Sequence, residues 1–307
     1  MSYYQLILSN ALCLYTINFI YIYIYMLIGL IGNGFVGRAT SILKSKDVHI
    51  RIYDIIPEEC SPKGTTLDDI SKCDMIFICV PTPMNKDGSC YLSILEDVIT
   101  KLSKLIDFDK TIVVIRSTVP PGTSAKLNCY FMPEFLTEKN YVEDFKNNTD
   151  WIFGLKNTPL DLLFKEKIEF LINTSAEKKL IKYNNIIYTP SKEAELIKLF
   201  RNNFLSLKVS FCNEIYDYCE KINVNYDTVS KIACLDKRIG QSHISVPGHD
   251  GKRGFGGTCF PKDANNLLNC LNTVNVDSFI IDAMVKRNIN KDRVEQDWKN
   301  NKGRAVI

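Results

Sequence analysis

Three histidines in 307 residues leave a zinc site little to build on, and no two cysteines stand at the C-x-x-C spacing of a structural metal site. Charge of one sign is also scarce. A net charge of +3, spread evenly along the chain, excludes the basic footprint of a nucleic-acid binder. There are no internal repeats, and no low-complexity tract beyond the N-terminus. The apolar stretch at residues 11–31 has neither a basic n-region before it nor a small-x-small cleavage site after it, which makes it a poor signal peptide.

What is present reads as an ordinary globular chain, long enough for two domains. Eleven scattered cysteines fit free thiols in a reducing cytosol, so the expected location is cytoplasmic. Residues 11–31 carry no charge over 21 positions, the length of a membrane span. Their last part, from Leu27 to Ile31, is also needed as a buried strand, and one segment cannot be both. Residues 1–25 are therefore read as an extension upstream of a working start at Met26, and a membrane association is not expected.

From Met26 an apolar run ends in Gly32-Asn33-Gly34-Phe35-Val36-Gly37. A helical pattern follows, then a strand closing on Asp54. This is the strand–loop–helix–strand order of a dinucleotide-binding unit. Gly32 makes the tight turn, Gly34 lets a pyrophosphate approach the backbone, and Gly37 lets the helix pack on the strand. Asp54, 20 residues after Gly34, accepts from ribose hydroxyls and repels a 2′-phosphate, which favours NAD over NADP. Further strands are expected at residues 75–80, 111–115, 151–155 and 185–189. Helices are expected between them at residues 91–106 and 160–171. The segment between Asp54 and Met75 is short, so one connecting element is expected to be reduced. In such a sheet ligands collect beyond the carboxyl ends of the strands, which puts Val80-Pro81-Thr82-Pro83 and Ser117-Thr118 on the cofactor side. Without the glycine turn upstream, each would read as an ordinary loop. Glu134 and Glu138, four residues apart, would share one face if their segment were helical.

Residues 191–222 contain neither Gly nor Pro and read as one long helix, with Ser191 as N-cap. Its apolar stripe is Phe200, Phe204, Leu207, Phe211, Ile215, Tyr218 and Ile222. Lys198 and Asn202 fall off that stripe, and on local grounds read as a solvated face. After a loop at residues 241–253 comes Gly254-Phe255-Gly256-Gly257-Thr258-Cys259-Phe260-Pro261-Lys262-Asp263. Its glycines allow close backbone approach. Cys259, near the start of a helix expected from Ala264 and beside Lys262, is placed as a nucleophile. The plainer reading is a glycine loop with a half-buried cysteine.

Taken together, the glycine turn, Pro81-Thr82-Pro83, Ser117-Thr118-Val119-Pro120, Pro133-Glu134-Phe135-Leu136-Thr137-Glu138, Lys198 with Asn202, Arg238-Ile239-Gly240 and the cysteine motif resemble the UDP-glucose/GDP-mannose dehydrogenase family, in order from Met26 onward. The resemblance implies an α/β enzyme: an N-terminal Rossmann-like doubly wound sheet over residues 26–190, then an all-α central and dimerisation domain over residues 191–307, built on the long helix. It implies oxidation of UDP-glucose to UDP-glucuronate with NAD, in two hydride transfers through a Cys259 thiohemiacetal and thioester. Another sugar nucleotide (GDP-mannose or a UDP-N-acetylhexosamine) and an inactive NAD-binding scaffold are the alternatives. It makes Lys198 and Asn202 stabilisers of an oxyanion, and Asp263 and Glu138 helpers of proton transfer and water activation. Thr118, Glu138 and Lys262 fall beside the cofactor. Glu134, Phe135, Leu136, Arg238, Phe255, Gly256 and Gly257 fall beside the substrate, with Arg238 reaching across a homodimer. Members of the family usually continue into a further domain that helps hold UDP, so the grip on UDP is expected to differ. The 241–253 loop is longer than in the simplest members and is expected to cover part of the substrate.

Overall fold

The computed structural model describes residues 25–307. The N-terminal extension up to residue 24 lies outside the described residues. Among them no helix is long and apolar enough to cross a membrane, and no disulfide links the cysteines. The chain divides into two compact units. One comprises the described residues up to Cys79 with Lys101–Arg116 and Asn128–Tyr188. The other comprises Val80–Thr100, Ser117–Leu127 and Thr189–Ile307.

The first unit is built on strand β1 (Met26–Ile31), helix α1 (Phe35–Thr40), β2 (Val48–Tyr53), α2 (Leu67–Ser71) and β3 (Met75–Ile78). In chain order there follow α3 (Ser93–Leu102), β4 (Ile112–Ile115), α4 (Thr123–Lys126), β5 (Tyr130–Phe131), α5 (Tyr141–Lys146), β6 (Asp150–Leu155), α6 (Asp161–Glu177) and β7 (Asn185–Pro190). Of these, α3 and α4 fall in the second unit. The seven strands form one sheet in the order β2-β1-β3-β4-β5-β6-β7. The pairs from β2 through β5 are parallel, and β6 runs antiparallel to β5.

The apolar character of each strand follows from its place in this order. Every residue of β3 and β4 is buried, as for central parallel strands covered on both faces. At the edge, β2 alternates between buried and more exposed positions. The core below the sheet includes Tyr130 stacked on Phe164 with ring centroids 3.8 Å apart, and Phe153 edge-on to the same ring. Met26–Ile31 is a strand of this sheet, which settles the double reading of the apolar stretch at that end. The connection from β2 to β3 is indeed brief: a 3-10 turn at Pro57–Glu59 and the five-residue α2. Helix α2 is closed at its start by a capping box between Thr66 and Asp69.

The second unit is organised on α7 (Ser191–Lys221), a single helix of 31 residues. It is followed by α8 (Tyr226–Ala233), α9 (Phe260–Thr273) and α10 (Phe279–Arg287). Ser191 is not the N-cap. Pro190, extended at φ −54° and ψ 143°, takes that position and makes no side-chain cap, while Ser191 lies inside the helix and is buried. The larger departure concerns which face of α7 is inward. Its buried positions are largely polar, among them Glu195, Lys198, Asn202, Asn203, Ser206 and Ser210. Phe200, Phe204, Phe211 and Tyr218 of the apolar stripe are 59–64% exposed, and Ile222 is also exposed. Lys198 and Asn202 are therefore not on a solvated face.

Candidate active site

In the first unit the turn after β1 has the shape a pyrophosphate needs. Gly32 adopts φ +95°, a conformation reserved for glycine. A Cβ on Gly37 would stand 2.1 Å from the Gly32 carbonyl oxygen, so only glycine lets α1 start this close to β1. A Cβ on Gly34 would meet nothing within 4 Å, which leaves open space over the N-terminus of α1. Asp54 closes the turn: its Oδ2 accepts from Asn33 N–H at 2.7 Å and its Oδ1 from Ile56 N–H at 2.9 Å. Phe35 and Val36 are the first residues of α1 after these. Glu59, which sequence reasoning passed over, accepts from Asn33 Nδ2 at 2.9 Å and pairs with Arg38. Asp54 and Glu59 thus both hold Asn33 of the turn, and Glu59 engages the Arg38 guanidinium, a group of the kind that meets a 2′-phosphate. The turn fits NAD.

Elsewhere in the first unit, Glu134 is buried, and its Oε2 accepts from Leu136 N–H at 2.8 Å. Phe135 and Leu136 are half-buried, whereas Glu138 is exposed in a turn. The segment is not helical, so the two glutamates do not share a helical face. Pro133 has no N–H to donate to a helix, and the Glu134 carboxylate fastens on the backbone two residues ahead instead.

In the second unit the cysteine motif opens α9. The helix begins at Phe260, four residues earlier than the apolar pattern indicated, with Cys259 itself as its N-cap residue and Pro261 in the first turn. Cys259 is half-buried, with Thr258 Oγ1 3.8 Å from its Sγ. Four residues on, Asp263 is fully buried and holds three neighbours. Lys262 Nζ donates to its Oδ1 at 2.6 Å, Asn202 Nδ2 to its Oδ2 at 2.5 Å, and Asn203 Nδ2 to its carbonyl at 3.1 Å. Lys198 is buried one turn before Asn202 on the same face of α7. Burial works against the Lys262 ammonium, but Asp263, with the Cys259 and Cys90 sulfurs in range, raises its pKa above the ordinary lysine value. It stays a cation beside the thiol. Cys90 was not anticipated: burial pushes its thiol up to about 11 against the pull of Lys262, and its Sγ lies 3.8 Å from the Thr118 carbonyl.

The two expected cofactor-side loops are tied to each other in the second unit. Thr82 Oγ1 donates to the Thr118 carbonyl at 2.7 Å, and Ser117 Oγ donates to the Val80 carbonyl at 2.6 Å. Pro81 and Pro83 stiffen the same segment. Glu195 anchors the far end of the Ser117 loop, accepting from Gly122 N–H at 2.5 Å, from Ser124 N–H at 2.7 Å and from Ser124 Oγ. Its place one turn before Lys198 was the available signal for it. Phe255 is buried and Gly257 adopts φ +74° beside Gly256. Arg238 is not brought into the cluster. Its guanidinium is exposed and chelates Asp236, with Nη2 2.5 Å from Oδ2.

Residues 61–169 match the NAD binding domain of the UDP-glucose/GDP-mannose dehydrogenase family, and residues 192–290 match its central domain. A UDP-glucose 6-dehydrogenase from Rickettsia felis is 34% identical over 232 residues, covering 72% of this chain and 49% of its own length. One from Bacillus subtilis is 31% identical over 236 residues, covering 72% and 50%. The chain thus spans about half the length of these curated relatives. Among solved structures, a UDP-glucose dehydrogenase from Pyrobaculum islandicum superposes with a TM-score of 0.72 at 24% identity, over 86% of this chain and 68% of that one. A UDP-D-ManNAc dehydrogenase from Pyrococcus horikoshii gives 0.69 at 23% identity, over the same shares. At that identity the likeness establishes the fold.

Proposed function

Because this chain belongs to the UDP-glucose/GDP-mannose dehydrogenase family and carries its NAD-binding domain, we propose that it oxidises the C6 alcohol of UDP-glucose to the carboxylate of UDP-glucuronate. The observation that carries the proposal is the buried pair Asp263 and Asn202, joined by half-buried Lys262, beside the half-buried Cys259. Bound NAD⁺ supplies the hydride acceptor, one equivalent for each oxidation.

After the first oxidation, the Cys259 sulfur adds to the C6 aldehyde, the S–C bond forms, and the carbonyl oxygen becomes an oxyanion. Lys198 and the second N–H of Asn202 stabilise that charge. One such donor lowers the barrier by about 3–4 kcal/mol. Loss of the second hydride from C6 leaves a thioester, and water then breaks the C–S bond, releasing the acid and returning the thiol. Asp263, already bonded to Lys262 and Asn202, holds both in place. Glu138 and Thr118 serve proton transfer and positioning of the attacking water. The exposed aromatic stripe of α7 supports a homodimer through this helix, with Arg238 of each subunit offered to its partner's substrate. The scattered cysteines, free in the described residues, support a cytoplasmic location.

The test is NADH yield per sugar on a panel of UDP-glucose, GDP-mannose and UDP-N-acetylhexosamines. Two NADH per UDP-glucose, abolished by Cys259→Ser, support the proposal. One NADH with free aldehyde released sinks the thioester. Calorimetry showing NAD⁺ bound but no sugar nucleotide would assign the chain to a non-catalytic role.

A further inference from the structure

Asn288, at the end of α10, is 1% exposed, and its whole side-chain amide is engaged by one residue of the glycine loop. Its Oδ1 accepts from Phe255 N–H at 2.8 Å, and its Nδ2 donates to the Phe255 carbonyl at 2.9 Å. An amide paired with both main-chain groups of one residue works like a rung of a strand ladder, and fixes the peptide in position and in roll. The neighbouring glycines fit closely around the same segment. Gly254 adopts φ +67°, and a Cβ there would fall 2.3 Å from Asn288 Oδ1. A Cβ on Gly256 would fall 2.6 Å from the Arg293 guanidinium. Immediately upstream, Arg253 is fastened to α7 through Asn213 at 3.1 Å and Asp217 at 2.7 Å. Downstream, Cys259 is fixed as the N-cap of α9.

We propose that Asn288 is a positioning residue for Cys259. By gripping the Phe255 peptide it sets the path of the Gly256-Gly257 turn, and so the direction from which the sulfur meets the C6 carbon. The inference rests on the reading of Cys259 as the nucleophile.

The experiment compares wild type with Asn288→Asp and Asn288→Ser. The aspartate is isosteric and keeps an acceptor for Phe255 N–H, but faces the Phe255 carbonyl with an oxygen instead of a donor. Three quantities are read: kcat and KM, the rate at which iodoacetamide alkylates Cys259, and NAD⁺ binding as a count of folded sites. Trypsin isolates Cys259 as the only cysteine of peptide 254–262, so its alkylation is separable from that of the other thiols. Misplacement of a reacting group by about 1 Å can lower rate a hundredfold, so kcat per NAD⁺-binding site is expected to fall by about tenfold to a hundredfold. The KM for NAD⁺ should stay put, and the alkylation rate of Cys259 should change. Activity that falls only in step with the number of folded sites overturns the inference, as do unchanged kcat and alkylation in a folded variant. If neither variant folds, hydrogen exchange on the wild type decides: the Phe255 amide must be protected, and free exchange refutes the clamp. If wild type yields no NADH from any sugar nucleotide, the enzymatic reading fails, while the alkylation comparison still judges Asn288.

Discussion

Replacing Asp263 by Asn is the sharpest probe of the thiol cluster, because it removes one charge and leaves its partner behind. Asp263 is fully buried and the Lys262 side chain is 14% exposed, with 2.6 Å between them. Stripping a buried pair of one member leaves an uncompensated ion and costs about 3–5 kcal/mol. For a unit of this size that lowers the unfolding midpoint by roughly 6–20 °C. The pH dependence has a definite sign. In the wild type, the folded pKa of Lys262 lies above the ordinary value because Asp263 outweighs burial. Its stabilisation is therefore complete below about pH 10.4 and is lost only as pH rises beyond that, through the folded value. In Asp263→Asn burial dominates and the folded pKa drops below the unfolded one. The unfolded state then binds more protons between the two values, so stability rises with pH up to about 10.4. Thermal unfolding at pH 7 and near pH 10 separates the two: this pair leaves the wild type unchanged over that interval, whereas the variant gains stability. A variant less stable at the higher pH, or one within about 1 kcal/mol of wild type at pH 7, refutes the assignment of a charged Lys262–Asp263 pair. The double variant Lys262→Met/Asp263→Leu should recover much of the loss, since well-packed apolar residues can replace a buried ion pair.

Other parts of the site make further predictions. Gly37→Ala drives a Cβ into the Gly32 carbonyl and should lower both stability and NAD⁺ affinity, whereas Gly34→Ala meets no protein atom and should weaken only NAD⁺ binding; calorimetry with thermal unfolding separates the two. Glu195→Gln turns an N–H donor toward the Gly122 N–H or the Ser124 donors. It should cost about 1–3 kcal/mol in stability and raise the KM for NAD⁺, read by steady-state kinetics beside a melt. Phe204→Asp, on the exposed stripe of α7, should convert the proposed homodimer to monomer in sedimentation, and a dimer that persists places the interface elsewhere.

The nucleotide-binding unit was legible because its signals are local and agree with one another. Strands buried on both faces demand unbroken apolar runs, and the glycines of the turn answer to contacts within a few residues. Element ends were less legible, since a pattern of apolar residues says nothing about a first turn such as Phe260-Pro261-Lys262-Asp263, which is half polar and yet helical. Glu59 and Asn288 were illegible for a different reason. Each acts through a partner distant in sequence, Asn33 for one and Phe255 for the other, and neither lies in a run whose spacing singles it out.

Helix α7 shows where periodicity alone misleads. An apolar stripe normally marks the face turned to the core, and by that rule Lys198 and Asn202 belong to solvent. Here the inward face carries Glu195, Lys198, Asn202 and Asn203, and the outward face carries stacked Phe200 and Phe204 with centroids 6.2 Å apart. The inversion is stabilised wherever an inward polar group finds a partner, since an unmet buried one costs about 1–3 kcal/mol. Glu195 takes the donors of the 122–124 turn, Asn202 binds the Asp263 carboxylate, and Asn203 binds its carbonyl. The same inversion leaves aromatic surface outside, which the other described residues do not cover. Dry polar chemistry within and apolar surface without are thus two results of one choice of face, and in the proposed dimer the second subunit covers what the chemistry displaced.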